Sequence, residues 1–351
     1  MKNNVMKERG VDMTFHRVTP DDIPTLMKYM PMACSRTCDF SIGGITMWAD
    51  YFSYEMAEYN DTLFLKGVCE DDLSRTAFSM PVGKMSPKEA VEILDTYCRA
   101  EGIPLVLSAV PEDYLESLAG MRFSVDELVD WADYVYRIED LATLSGKRYG
   151  RKRNHVNRFI TDNPDYSYEP LTLSNVAEVK DFYLKLDNHD GTGSPTAAVE
   201  REQVFGVLDH LAEYPFEGGV LRRAPGEIVA FTLGEVIGDT LYVHIEKMSH
   251  DVAGAGETIN KCFAEDMYHR HADLVWVNRE EDVGDEGLRK AKESYRPAMK
   301  LRKYNLVFSP VINGEVTVPE PEYRLAERRT TDAVQPARAL VAARVQAAER
   351  A

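Results

Sequence analysis

Period-two alternation along Thr240–Met248 sets Tyr242, His244 and Glu246 on one face of a predicted strand. One of these groups could take the proton from an attacking amine; a buried His244 satisfied by hydrogen bonds is the alternative. The strand leads through Ser249–Ala253 into Gly254, Ala255 and Gly256 and then a predicted helix to His271. Backbone N–H groups at such a helix start lie at the positive end of the helix dipole. Gly254, Ala255 and Gly256 are therefore a candidate cofactor-binding cradle for a phosphate or carboxylate, with an ordinary turn as the other reading. Beyond a predicted strand at Leu274–Val277 come Asn278, Glu280 and Asp282, at the kind of strand end that presents ligand-binding residues.

A second feature is electrostatic. The chain holds 41 Lys+Arg against 58 Asp+Glu, a net charge of −17, yet the run Lys147–Arg158 contains six basic residues and no acidic one. As a helix it would line up Lys147, Arg151, His155 and Arg158 on one face, with Arg148 and Lys152 flanking and Arg153 beside them. Two readings stand: a local contact for a phosphate or an RNA end, or a solvated linker helix paired with the chain's own carboxylates. The overall acidity excludes a protein that coats nucleic acids or anionic membranes.

The five cysteines are few for 351 residues. Cys34 and Cys38 could meet across one helical turn, but no second Cys or His pair completes a zinc set, so both are read as buried thiols and no metal is expected. No apolar run is long enough to cross a bilayer, and the opening residues lack the apolar core of a secretory signal. The expectation is a cytoplasmic protein without an integral membrane segment.

These residues need elements to position them. With 44% hydrophobic and 10% aromatic residues, the chain is long enough for two domains. The predicted order is a strand near Thr14–Val18, helices to Tyr51, and three antiparallel strands at Glu55–Tyr59, Thr62–Lys66 and Thr76–Val82, the first two joined at Asn60-Asp61. A helix over Ser86–Arg99, a strand at Leu105–Ser108, a short helix and a final hairpin around Asp126 to Ile138 complete this unit. The order recurs from Tyr166 to Phe308. The expected division is a polar extension at 1–12, a first domain at 13–140, a basic linker helix at 141–165, a second domain at 166–310, and a disordered tail or frayed helix at 311–351.

This order resembles the GCN5-related N-acyltransferase (GNAT) fold, which implies an α+β protein of two tandem GNAT-like domains, each a mixed, mostly antiparallel sheet flanked by helices. That fold holds the coenzyme A pyrophosphate where Gly254 and Gly256 lie, but Asp251 replaces the usual Arg or Gln, and a carboxylate there repels pyrophosphate. The resemblance also makes Tyr295, four residues after Ala291, a candidate general acid, and Glu246 a candidate base. More narrowly, Arg36–Phe40, Met47–Tyr51, Lys152–Asn157, Tyr242–Lys247 and Asn278–Tyr295 resemble the DUF2156 family, related to the C-terminal domain of phosphatidylglycerol lysyltransferase and akin to the Fem aminoacyltransferases. This implies transfer of an aminoacyl group from an aminoacyl-tRNA-like donor to an amine or hydroxyl of a small-molecule or peptide acceptor. The basic run would face the tRNA acceptor end, with His244, Asn278, Glu280, Asp282 and Lys290 around the substrate. An acetyl-CoA-dependent N-acetyltransferase and a non-catalytic binding protein on the same scaffold are the alternatives.

Overall fold

The computed structural model describes residues 11–190 and 195–308. The expected extension at 1–12 and the tail at 311–351 lie almost wholly outside these residues.

The first half runs β1 (His16–Arg17), α1 (Ile23–Tyr29), α2 (Ile42–Thr46), β2 (Glu55–Tyr59), β3 (Thr62–Val68), β4 (Thr76–Phe78), β5 (Val82–Gly83), α3 (Pro87–Glu101), β6 (Val106–Pro111), α4 (Glu112–Leu115), β7 (Phe123–Glu127) and β8 (Asp133–Arg137). Local chemistry explains much of it. Asn60 and Asp61 both take positive φ in the β2–β3 turn, as a tight hairpin requires. Ser86 and Glu89 close a capping box at the start of α3, and Gly102 ends that helix in the left-handed region.

After α5 (Ile138–Thr143), α6 (Gly150–Asp162) carries the basic run, and the order repeats: β9 (Ser167–Pro170), α7 (Val176–Asp190), α8 (Pro195–Asp209), β10 (Glu217–Arg223), β11 (Glu227–Ile237), β12 (Thr240–Met248), α9 (Ala255–Arg270), β13 (Trp276–Asn278), α10 (Glu286–Ser294), β14 (Met299–Leu301) and β15 (Lys303–Phe308). The sheets share one design. The first is ordered β1-β2-β3-β4-β6-β15-β7 with β5 beside β3, and the second, read from its opposite edge, β9-β10-β11-β12-β13-β8-β14. In each, one parallel pair, β4/β6 or β12/β13, interrupts antiparallel neighbours.

The hairpin expected around Asp126 to Ile138 does not form. β7 stays at the edge of the first sheet, whereas β8 crosses to the second and inserts between β13 and β14. In return β15 leaves the second half and inserts between β6 and β7. Burial is the physical reason: Asp133, Tyr134, Val135 and Tyr136 are all buried, which suits an interior strand, while β7 is exposed along nearly its whole length. A boundary at residue 140 thus cuts the chain without separating the sheets. Helices α7 and α8 cover one face of the second sheet around Phe231 and Leu233, and α5 and α9 pack on the other side around Tyr136 and Val277.

Candidate functional site

β12 and β13 pair from Thr240↔Trp276 to Tyr242↔Asn278 and then part. β12 continues to Met248 along β11, while the chain after Asn278 turns away through Glu280, whose φ is +59°. The resulting wedge is crossed by side chains. His244 Nδ1 lies 2.7 Å from Glu280 Oε1, and Glu246 Oε1 accepts from Arg279 Nη2 at 2.8 Å.

The His244 side chain is 1% exposed and held on its other side by Glu235 Oε1 at 2.9 Å, an oxygen that also accepts from the Gly43 backbone N–H of α2. Burial alone would lower its pKa, but the two carboxylates outweigh burial and lift it to about 10. At neutral pH His244 is therefore an imidazolium that donates from both nitrogens, a strut rather than a base. Glu246 has both oxygens engaged, Oε2 accepting from Asn260 Nδ2 at 3.1 Å.

Tyr295 closes the floor of the wedge. Its ring carries the Lys152 ammonium 3.9 Å from the centroid and the Arg279 guanidinium at 4.9 Å, with Tyr136 edge-on. Burial, reinforced by Glu246 and Glu257, holds its hydroxyl well above the ordinary phenol range, against the pull of Arg279, so it stays protonated.

The glycine loop is packed rather than open. Gly254 has φ +81°, and a Cβ there would meet the His155 carbonyl of α6 at 2.3 Å. Ala255 is buried, and a Cβ on Gly256 would touch Met248. The absence of side chains lets α6 lie against the start of α9.

The basic run divides. Lys152 turns inward to Glu257 at 3.3 Å and to Tyr295, and burial lowers its pKa. Arg148 pairs with Asp140 at 2.6 Å, and Arg153 donates to the Leu144 and Gly146 carbonyls past the end of α5. Lys147, Arg151, His155 and Arg158 remain exposed, with Arg158 loosely paired to Asp162.

The remaining candidates are mostly tied into the scaffold. Asn278 Nδ2 donates to Asp133 Oδ2 and the Arg36 carbonyl, and its Oδ1 accepts from the Glu280 N–H. Asp282 accepts from Tyr134 Oη, two Arg289 nitrogens and the Gly284 N–H; although burial works the other way, these bonds lower its pKa. Lys290 is exposed on α10, paired only with Glu286.

Beneath the wedge lies a buried charged cluster. Lys303 Nζ is 2.8 Å from Asp133, 3.0 Å from Asp39, 3.7 Å from Glu281 and 3.4 Å from Cys38 Sγ. Cys38, Asp133 and Glu281 bring three donor atoms within 4.8 Å of one another, the only such grouping among the described residues, and the Lys303 ammonium already serves as their cation. Of the two thiols expected to be buried, Cys38 is buried but Cys34 is exposed, its backbone N–H donating to Tyr114 Oη. The residues around Cys34 do not form the single helical turn that would have paired them. Arg279, Glu235, Asn260 and Lys303 were not singled out from sequence. For Arg279 a signal existed, one basic residue followed by three consecutive acids.

Two sheets of identical order, each with a parallel pair, and a polar wedge where one pair parts define a tandem GNAT-like acyltransferase fold. Residues 33–307 match the model of the phosphatidylglycerol lysyltransferase C-terminal family, and the chain belongs to that family. A conserved protein of unknown function from Bacteroides thetaiotaomicron VPI-5482 is 33% identical, covers 85% of this chain and 100% of its own, and superposes with a TM-score of 0.76. The C-terminal DUF2156 domain of a putative lysylphosphatidylglycerol synthetase from Agrobacterium fabrum is 13% identical over 83% of this chain and 93% of its own, with a TM-score of 0.58. FemX is 12% identical over 83% and 97%, with a TM-score of 0.52. No helix among the described residues is long and apolar enough to cross a membrane.

Proposed function

We propose that the protein transfers an aminoacyl group from aminoacyl-tRNA to an amine or hydroxyl acceptor in the wedge between β12 and β13. The observation that carries this reading is Lys152. It belongs to the basic helix that suits a polyanionic donor, and its ammonium rests on Tyr295 inside the wedge, so one element links the anion-binding face to the site. The exposed Arg151, His155 and Arg158 offer the donor's phosphates a cationic face. Acyl-coenzyme A suits the site less well, because α6 lies against the start of α9 where a pyrophosphate would approach.

In the transfer the acceptor's nitrogen or oxygen attacks the ester carbonyl and the ribose oxygen leaves. The Tyr295 hydroxyl, protonated at neutral pH, gives the leaving oxygen its proton. Glu246 accepts the acceptor's proton once the substrate has taken a share of Arg279, and solvent returns both groups to their starting state.

The test is loss of radiolabelled amino acid from charged tRNA with pooled amine and hydroxyl acceptors, alongside thermal-shift titrations with charged tRNA and coenzyme A. Acceptor-dependent loss of label and a melting shift with charged tRNA support the reading. A shift with coenzyme A and none with tRNA overturns it.

A further inference from the structure

The first sheet has a wedge of its own. β4 and β6 pair in parallel at Phe78↔Leu107 and then part, and two residues on Ala109 takes φ +53°, just as Glu280, two residues past Asn278, takes φ +59° in the second sheet. The first wedge holds a cavity lined by Tyr54, Gly67, Glu70, Ser79, Ser108 and Ala109, with room for a group about the size of one water molecule.

No basic residue lines it. Glu70 is 8% exposed, and its backbone N–H donates to Ser108 Oγ at 3.3 Å. Among the described residues its carboxyl has one hydrogen-bond partner, the carboxyl of Asp39, whose Oδ2 is buried and accepts no hydrogen bond. The ammonium of Lys303 is already shared by Asp133, Asp39 and Glu281. Four carboxyls therefore surround one cation, and the carboxyl at the cavity end is the one left over. Burial, with Asp39 and Glu281, keeps Glu70 uncharged against the pull of Lys303, and burial keeps the facing Tyr51 and Tyr54 hydroxyls protonated. A second cation is what this end of the cluster lacks.

An apolar row leads outward from the cavity. Ser53 takes φ +54°, and the turn gathers its neighbours: the Phe52 ring lies 5.6 Å from Tyr54, 4.9 Å from Tyr51 and 6.4 Å from Trp131. Tyr54 lines the cavity, whereas Tyr51 and Trp131 are half-buried, so the row reaches the surface.

We propose that the first wedge binds a primary alkylammonium, whose NH₃⁺ group enters the cavity and pairs with Glu70 while its alkyl stem lies along the aromatic row. An ammonium head has the size of a water molecule and is attracted to an aromatic face, whereas a quaternary ammonium is too large to enter. On binding, Glu70 gives its proton to solvent, so one cation replaces one proton. The site is separate from the wedge between β12 and β13 and does not depend on the transfer reading.

Calorimetric titration of the full chain with n-butylammonium, Nα-acetyl-lysine methylamide and tetramethylammonium, at constant chloride, tests it. The butyl compound stands for a free amine and the lysine derivative for a protein side chain. Saturable binding of either supports the site and identifies the source, provided that a repeat in a buffer of different ionisation enthalpy shows about one proton released. Glu70→Gln replaces an uncharged acid by an uncharged amide; it should abolish the proton release and weaken binding at least about tenfold, the size of a lost hydrogen bond to a charged group. If that variant fails to fold, proton release by the wild-type protein still decides. Saturable binding of neither amine, tetramethylammonium bound as tightly as butylammonium, binding without proton release, or unchanged affinity in Glu70→Gln overturns the proposal.

Discussion

Lys303 and Asp133 meet at 2.8 Å with neither side chain exposed, one on β15 and the other on β8, the two strands that the halves exchange. The pair therefore joins the exchanged strands. Burial alone would neutralise the lysine, but Asp133, Asp39 and Glu281 hold it charged well above the ordinary range. The cluster has more acid than base, and burial correspondingly pushes Glu281 up to about 7.

Lys303→Met should therefore be severely destabilising. Removing one partner of a buried pair leaves an uncompensated charge and costs about 3–5 kcal/mol. Urea unfolding of the two proteins measures it. A change under about 1 kcal/mol would show that the cluster neutralises itself by taking up protons and that Lys303 is dispensable.

The His244 strut makes a prediction about pH. Its folded pKa of about 10 lies above the unfolded value, so its contribution is complete below pH 6.5, declines as pH rises, and is gone above 10. The melting-temperature gap between wild type and His244→Gln should be largest at pH 6 and shrink steadily to pH 10. A gap that is constant with pH would mean the imidazole is neutral in the folded protein.

Gly254 and Gly102 both hold positive φ, but only Gly254 has a backbone carbonyl in the space of a Cβ. Alanine at Gly102 should cost about 1 kcal/mol from φ alone. Gly254→Ala should cost more, by up to about 3 kcal/mol, and expose α6 to protease as its contact with α9 opens. Equal losses at the two positions would remove the close-packing account.

On α6 the exposed and inward residues should behave differently. Charge reversal at Arg151 and Arg158 should weaken tRNA binding and flatten its dependence on salt by about one unit per lost phosphate contact, with melting unchanged. Lys152→Met should instead lower turnover more than affinity. If the reversals leave the salt slope intact, α6 is a linker with no tRNA contact.

Elements with local causes were legible in the sequence. The Ser86–Glu89 box and the Asn60-Asp61 turn specify α3 and the β2–β3 hairpin from within a few residues. The strand exchange was not, because β7 and β8 are near neighbours in sequence and strands so placed ordinarily pair; only the continuous burial of Asp133–Tyr136 reveals an interior strand. The same limit applies to the site. Alternation put Tyr242, His244 and Glu246 on one face, but a register shift between β11 and β12 makes His244 an extra residue and turns Tyr242 and Glu246 to opposite faces, and the state of His244 depends on Glu280, 36 residues away and aimed by a left-handed backbone turn. Gly254 was singled out as part of a candidate anion cradle, with an ordinary turn as the other reading, but the space beside it is taken by the carbonyl of His155 of α6, about a hundred residues earlier.

Tyr295→Phe isolates the proposed proton donor. The substitution keeps the ring that Lys152 and Arg279 lie over and that Tyr136 meets edge-on, so the wedge should retain its shape and donor binding should be unchanged. Only the hydroxyl is lost, and with it the proton for the leaving ribose oxygen. Turnover should fall about 10²–10⁴-fold, the range for removal of a general acid, with the dissociation constant for charged tRNA intact. Because burial holds the hydroxyl well above the phenol range, Tyr295 should impose no loss of wild-type activity with rising pH up to about 9. If Tyr295→Phe turns over at the wild-type rate, the proton comes from elsewhere and Tyr295 serves only as the platform for Lys152 and Arg279.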